Sequence, residues 1–193
     1  MIWNRTASGK ILARAAVVTA LAMFCVLPAR AGEAPPYLAR AGLNLAAEAA
    51  RIWAADAELV YLENDEEVDA GGTAARWGYL FNSASLGRAR GYTIRDGEIL
   101  EASDLDFDFE APPLSGQWVD SDVALAAAEE KAGQEYRTKN AGRLDTMLLI
   151  RGAFHDGDPD ASTWTLVYTS PDSPPLTVVV DARDGKVVRK WKG

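Results

Sequence analysis

A pattern of alternating aromatic residues followed by a charged turn occurs twice in the chain, and this repetition constrains the fold most. The tryptophans that open the two copies lie 87 positions apart (77 to 164), and the glycines that close them lie 88 positions apart (97 to 185). Because the spacing holds through each copy, we predict a duplicated αβ unit. The two copies are Trp77, Tyr79, Phe81, Arg95, Asp96 and Gly97, and then Trp164, Leu166, Tyr168, Arg183, Asp184 and Gly185.

The first 31 residues have the features of a secretory signal peptide. Three cations precede an apolar run over 15–27, and small residues around Ala31 form a cleavage site of the A-x-A type. The run is shorter than the roughly 20 residues that a membrane-spanning helix needs, and no later segment supplies such a span. We therefore predict an exported protein, periplasmic or secreted, that begins at residue 32.

The predicted exported chain is strongly acidic. Cleavage after Ala31 removes four cations and no acidic residue, so the formal net charge changes from −8 to −12. Nucleic acids and anionic membrane surfaces would repel this charge at long range, so neither is predicted as a partner. Cleavage also removes Cys25, the only cysteine, which leaves a chain without disulfides or thiol chemistry. Its stability must then come from a buried apolar core.

The first unit, residues 32–111, begins with a helix and continues as antiparallel strands. Apolar residues at helical spacing among alanines predict an amphipathic helix over 38–55. The pair Asp96 and Gly97 suits the positive φ angles of a type I′ hairpin. The segment 105–110 alternates apolar and acidic residues, which predicts a further strand with one buried and one solvated face.

The second unit, residues 119–193, repeats this order after a proline-containing linker over 112–118. A helix that starts near Asp120 and ends near Asn140 or Gly142 precedes four strands rich in Val, Leu, Thr and aromatic residues. The predicted fold class is α+β. It consists of two repeated units, each with one helix packed on an antiparallel sheet of about four strands.

The second unit resembles the PepSY domain, a small exported module in which one helix packs on an antiparallel sheet. The likeness covers about the last 75 residues, from 119 to 193, and the first unit shows it more weakly. PepSY domains bind or restrain peptidases and have no catalytic residues of their own. The resemblance therefore implies a protein partner in the envelope, with a peptidase as one candidate. It rests on the helix entry Asp120, Ser121, Asp122 and Ala124, and on Val178, Val180, Asp181 and Gly185 in the last hairpin.

The sequence lacks the residue combinations that common catalytic and metal sites require. His155, the only histidine, is expected to be a solvated turn residue, and no cysteine or second imidazole remains to complete a nucleophile pair or zinc site. The aspartates over 156–160 resemble the start of a calcium loop, but Val167 stands where the bidentate Glu belongs. We predict a non-enzymatic protein with no catalytic residue, no cofactor and no calcium or other metal site.

The repeated aromatic residues are the candidate binding surface. On an uncovered sheet face they would form an apolar patch that marks a partner site, whereas beneath a helix they would form the core. The prediction is an exported protein that binds another macromolecule, and the alternative is a small-ligand or divalent-cation-binding envelope protein. The candidate surface residues are Trp77, Tyr79, Phe81, Trp164 and Tyr168.

Overall fold

The computed structural model describes residues 35–105, 111–114 and 116–193, which belong to one compact unit. The predicted signal peptide and most of the strand predicted over 105–110 lie outside the described residues. The elements are α1 Leu43–Trp53, β1 Glu58–Asn64, β2 Arg76–Ser83, β3 Arg88–Arg95, β4 Glu98–Asp104, α2 Ser121–Ala128, a π-helical turn Glu129–Gly133, α3 Gln134–Asn140, β5 Arg143–Arg151, β6 Ser162–Thr169, β7 Leu176–Asp181 and β8 Val187–Lys192. The segment from α2 to α3 is one continuous helix of 20 residues.

All eight strands form a single antiparallel sheet in the order β4-β3-β2-β1-β5-β6-β7-β8. The predicted fold class is therefore wrong, because the described residues form mostly one eight-stranded sheet with one helix of 20 residues and not two repeated helix-on-sheet units. Strands β1 and β5 join at the centre, where Tyr61 lies opposite Ile150 and Glu63 lies opposite Leu148. Each of these strands begins a meander and has one edge without a neighbour, so their pairing satisfies backbone groups that would otherwise stay open.

The helices cover one face of the sheet and enclose the main core. Side chains alternate between the two faces of a strand, and Trp77 of β2 and Trp164 of β6 point to the helix side, where both are fully buried. Their rings meet edge to face, with centroids 6.4 Å apart. The indole of Trp77 donates to the carbonyl of Tyr37 at 2.9 Å, and that of Trp164 donates to Val119 at 2.8 Å. These bonds fix the segments that lead into α1 and α2 against the core.

Local signals set the ends of the helices and the tight hairpin. The side chain of Asp120 accepts a hydrogen bond from the Ser121 N–H at 2.8 Å, and the long helix ends where Ala141 takes a left-handed φ of 47°. Helix α1 is shorter than the predicted span of 38–55. Asp96 and Gly97 both have positive φ angles, 55° and 74°, as the type I′ hairpin requires.

Candidate functional site

The five aromatic residues of the predicted binding surface lie in the core, between the sheet and the helices. Their side chains are 0 to 3% exposed, so they form no exposed platform in this structure. Tyr79 shows how they are held: its hydroxyl donates to the Ala39 carbonyl at 2.6 Å, and burial raises the pKa of the phenol. The residues are Trp77, Tyr79, Phe81, Trp164 and Tyr168. A binding surface on the sheet must therefore use the opposite face.

Over β5–β8 that opposite face is covered by the loop between β5 and β6, residues 152–161. The hydroxyl of Thr163 donates to the Ala153 carbonyl at 3.0 Å. The rings of Phe154 and Trp191 lie 6.2 Å apart, centroid to centroid. Thr163 and Trp191 both belong to the face away from the helices, because they pair with Asp181 and Thr177 on β7, whose neighbours Val178 and Val180 point into the main core.

His155 is part of this covering loop, and its side chain is only 12% exposed. Its Nδ1 accepts hydrogen bonds from the Gly157 and Asp158 N–H groups at 3.2 and 2.9 Å, and its Nε2 lies 3.5 Å from Asp181 Oδ2. Arg183 donates to the same carboxylate at 2.8 Å and holds the pKa of Asp181 below its usual value. The prediction of a solvated histidine is wrong, because the imidazole docks the loop on the sheet.

The three aspartates of the calcium-like loop are engaged in ion pairs. Their partners are arginines of β5, the β7–β8 turn and β8, so the carboxylates serve to fasten the loop. The pairs are Asp156 with Arg189 at 2.9 Å, Asp158 with Arg183 at 3.0 Å and Asp160 with Arg151 at 3.9 Å. Within the part of the chain that the structure describes, no three metal-ligating side chains converge.

Over β1–β4 none of the described residues covers the same face, which contains a groove of about 510 Å³, here called the acidic groove. Its floor consists of two rows of residues that run across the four strands. The first row is Glu63, Gly78, Thr93 and Glu101, and the second is Tyr61, Leu80, Gly91 and Ser103. A Cβ built on Gly78 or Gly91 would have only a carbonyl oxygen nearby, at 3.9 Å. The missing side chains therefore create the depression.

Two carboxylates without an ion-pair partner among the described residues lie on opposite sides of the acidic groove. Glu63 on β1 and Glu101 on β4 are separated by three strand spacings, about 14 Å between backbones. Among the described residues neither carboxylate forms an ion pair. The Tyr61 hydroxyl donates to Glu63 at 2.5 Å, and burial together with this bond raises the pKa of the phenol, which stays protonated. The groove can thus attract cationic groups.

The two ends of the acidic groove differ in polarity. At one end Arg76 pairs with Asp65 at 2.8 Å, and Arg95 lies 3.5 Å from Glu66, so the charges there neutralise each other. At the other end Leu80 belongs to a small apolar cluster with Val60 and Ala89, against which Leu105 packs. The net negative charge is therefore concentrated along the middle of the groove.

Two glycines within predicted strands could have indicated the acidic groove from the sequence. Gly78 and Gly91 each interrupt a strand, and an isolated glycine in a strand often marks a close approach of another backbone or a ligand. The register of β2 and β3 places the two glycines in neighbouring rows, because Leu80 is opposite Gly91 and Gly78 is opposite Thr93.

Comparisons with known proteins give a fold relationship. No family model matches the sequence, and no curated protein is significantly similar to it. Among solved structures, the chain is similar to a protein from Clostridium difficile 630 that is described as a candidate lipoprotein, known from a crystal structure at 1.85 Å. The match has a TM-score of 0.52 and 14% sequence identity, and it covers 78% of this chain and 92% of that chain. At this identity the likeness concerns the fold alone.

None of the helices among the described residues has both the length and the apolar character that crossing a membrane requires.

Proposed function

We propose that this chain is an exported, non-enzymatic binding protein that holds an extended cationic segment of another macromolecule in the acidic groove. The observation that carries the proposal is the difference between the two halves of the open face. Over β5–β8 the protein covers the face with its own loop, held by Phe154 and His155. Over β1–β4 no described residue covers the face, and Gly78 and Gly91, both half-buried, leave the backbone of the floor without side chains.

An extended peptide fits the shape of this site. Two glycines in the floor let another backbone come closer to the sheet than side chains would permit. Lysine or arginine side chains of the ligand would reach Glu63 and Glu101, which have no cationic partner among the described residues, and such charge-assisted hydrogen bonds are the stronger kind. The hydroxyls of Thr93 and Ser103 add polar contacts along the floor. The acidic net charge would also steer a cationic partner toward the protein.

The proposed location is the cell envelope or the medium outside it. The predicted signal peptide supports export, and so does the shared fold with a protein that is described as a candidate lipoprotein. The resemblance of the last 75 or so residues to PepSY modules makes an envelope peptidase the first partner to test. Occupation of a cationic segment near its active site would restrain such an enzyme.

Binding of labelled peptides, followed by fluorescence anisotropy, tests the proposal. A ten-residue peptide that alternates Lys and Ser should bind, and the same peptide with Glu in place of Lys should not. Binding should weaken as salt rises, because exposed charge pairs are screened beyond about 10 Å at 0.1 M. Gly91→Val fills the groove, and the neighbouring atoms leave room for its Cβ, so we expect a folded variant that binds at least about tenfold more weakly.

A matched pair of variants on β4 distinguishes binding in the groove from attraction by the overall negative charge of the protein. Glu101→Gln removes a carboxylate of the groove, whereas Glu98→Gln removes one from the same strand outside it. We expect weaker binding for the first variant and unchanged binding for the second. Equal binding of the cationic and anionic peptides, or full binding by a folded Gly91→Val variant, would refute the proposed site.

A further inference from the structure

A second cleft, of about 300 Å³, lies between the end of the long helix and the edge strand β8. The helix contributes Glu135, Tyr136 and Lys139, and β8 contributes Lys190 and Lys192. Lys190 and Lys192 point to the helix side of the strand: the Lys192 ammonium lies 5.1 Å from the ring centroid of Tyr136, and Lys190 Nζ lies 3.4 Å from the Lys131 carbonyl. We call this site the lysine cleft.

The lysine cleft is positively charged in a chain that is otherwise acidic. Three ammonium groups and one carboxylate give it a formal charge of +2, against −8 for the whole chain. The only carboxylate, Glu135, accepts a bond from Lys139 at 2.5 Å. Its pKa is lowered first by this bond and further by the charges of Lys190 and Lys192, so the lysines of the helix and of β8 all act on the same carboxylate.

The ammonium groups are the donors that remain for a ligand. Tyr136 already donates its hydroxyl to the Pro174 carbonyl at 2.9 Å, and the Asn140 amide donates to the Tyr136 carbonyl at 2.9 Å. Each ammonium has three N–H donors. Lys139 uses one on Glu135, and Lys192 has no carboxylate partner among the described residues. The cleft therefore combines several unused cationic donors with one aromatic residue, Tyr136.

We infer that the lysine cleft binds the phosphate group of a phosphate monoester, with the organic part of the ester against Tyr136. A phosphate monoester carries about −1.5 to −2 charges at pH 7, which matches the +2 of the cleft, whereas a carboxylate would leave one positive charge uncompensated. Lysine binds phosphate as a point charge and needs no bidentate geometry. The site is separate from the acidic groove and does not depend on the function proposed for it.

Lysines on an edge strand have a second physical role that the test must distinguish. They discourage pairing with another chain, and that role requires only charge along the edge, without a bound ligand. Edge protection does not require a lysine from the helix. In this cleft Lys139 of the helix lies beside Lys190 and Lys192 of β8, as a binding site for an anion requires.

Isothermal titration calorimetry with the whole exported chain tests the inference, with phenyl phosphate and benzoate as probes. Both probes have the ring, but only the first is a dianion. Phenyl phosphate should bind at least about tenfold more tightly than benzoate. The double variant Lys190→Ala, Lys192→Ala should weaken phenyl phosphate binding at least about tenfold. Lys186→Ala is the control, because Lys186 lies on the same hairpin but pairs with Asp184 at 2.5 Å outside the cleft.

A second arm identifies the source of the phosphate. Co-sedimentation with phosphatidylcholine vesicles that contain phosphatidic acid, a lipid with a monoester headgroup, should depend on Lys190 and Lys192 if the natural ligand is a lipid. Binding of phenyl phosphate without vesicle binding would identify a soluble ester. The inference is overturned if neither probe binds, if benzoate binds as well as phenyl phosphate, or if the folded double variant binds phenyl phosphate as the parent does. The lysines would then serve only to discourage pairing of β8 with another chain.

Discussion

Replacement of Gly72 by alanine should destabilise the protein strongly, because this residue lies against the backbone at the start of α2. Gly72 has a φ of +79°, and a Cβ built on it would lie 2.6 Å from the Cα and 2.7 Å from the N of Asp122. The carbonyl carbon of Ser121 would be at 3.0 Å. All three are backbone atoms of the helix start, so no side-chain rotation can relieve the clash.

The expected cost has two parts. A left-handed backbone conformation costs an alanine about 1–2 kcal/mol relative to glycine. Forcing an extra carbon into a closely packed contact costs about 1–3 kcal/mol more, because the helix start or the turn over 69–73 must shift. The total is about 2–5 kcal/mol in the free energy of unfolding. At roughly 2–4 °C for each kcal/mol in a chain of this size, the melting temperature should fall by about 4–20 °C.

Gly87→Ala is the matched control. Gly87 also has a positive φ, +59°, but no atom lies within 4 Å of its Cβ position. It should therefore lose only the conformational part, about 1–2 kcal/mol. Urea unfolding followed by circular dichroism measures both free energies. If the two variants lose the same stability, the contact between the turn and α2 contributes nothing, and the reasoning from close packing is refuted.

Two further perturbations test the core and the acid stability. Trp164→Phe removes the buried indole N–H that donates to the Val119 carbonyl. Loss of this bond should lower the free energy of unfolding, measured in urea, by about 1–3 kcal/mol. A change within experimental error would show that the bond contributes little. The Ser83 hydroxyl, together with the N–H and hydroxyl of Ser85, lowers the pKa of Asp56 from 3.8 to about 2. The contribution of Asp56 to the free energy of unfolding is therefore complete above about pH 4 and is lost as the pH falls toward 2. Asp56→Asn should make the free energy of unfolding less dependent on pH in this range. An unchanged pH dependence would contradict the expectation.

The elements that were predictable from the sequence are those whose signals are local. The positive φ angles at Asp96 and Gly97 follow from two residues, and the start of the long helix follows from the capping side chain of Asp120. The continuous sheet is different, because the pairing of Tyr61 with Ile150 depends on which strand edges remain open after each meander has formed. No local window of sequence contains that information, which is why the sequence left open whether the sheets of the two units join into one.

The candidate site was less predictable, because it depends on what covers each face of the sheet. Alternation identified Trp77 and Tyr79 as residues of one face, but the position of the helices decided that this face is the core. The His155 side chain is only partly exposed because its loop folds back toward Asp181, which lies further along the chain. The glycines of the acidic groove form one depression only because the register between β2 and β3 places them in neighbouring rows.

The central pairing of β1 with β5 also determines the order in which the protein can fold. Each meander closes through short hairpins, but Tyr61 and Ile150 must meet across a chain segment that contains three strands and the long helix. Contacts between such distant residues form slowly, because the entropy of closing the segment is lost before any contact compensates for it. Until then both inner strands have open edges, which are available to other unfolded chains. Refolding at low protein concentration should therefore favour a high yield of native protein.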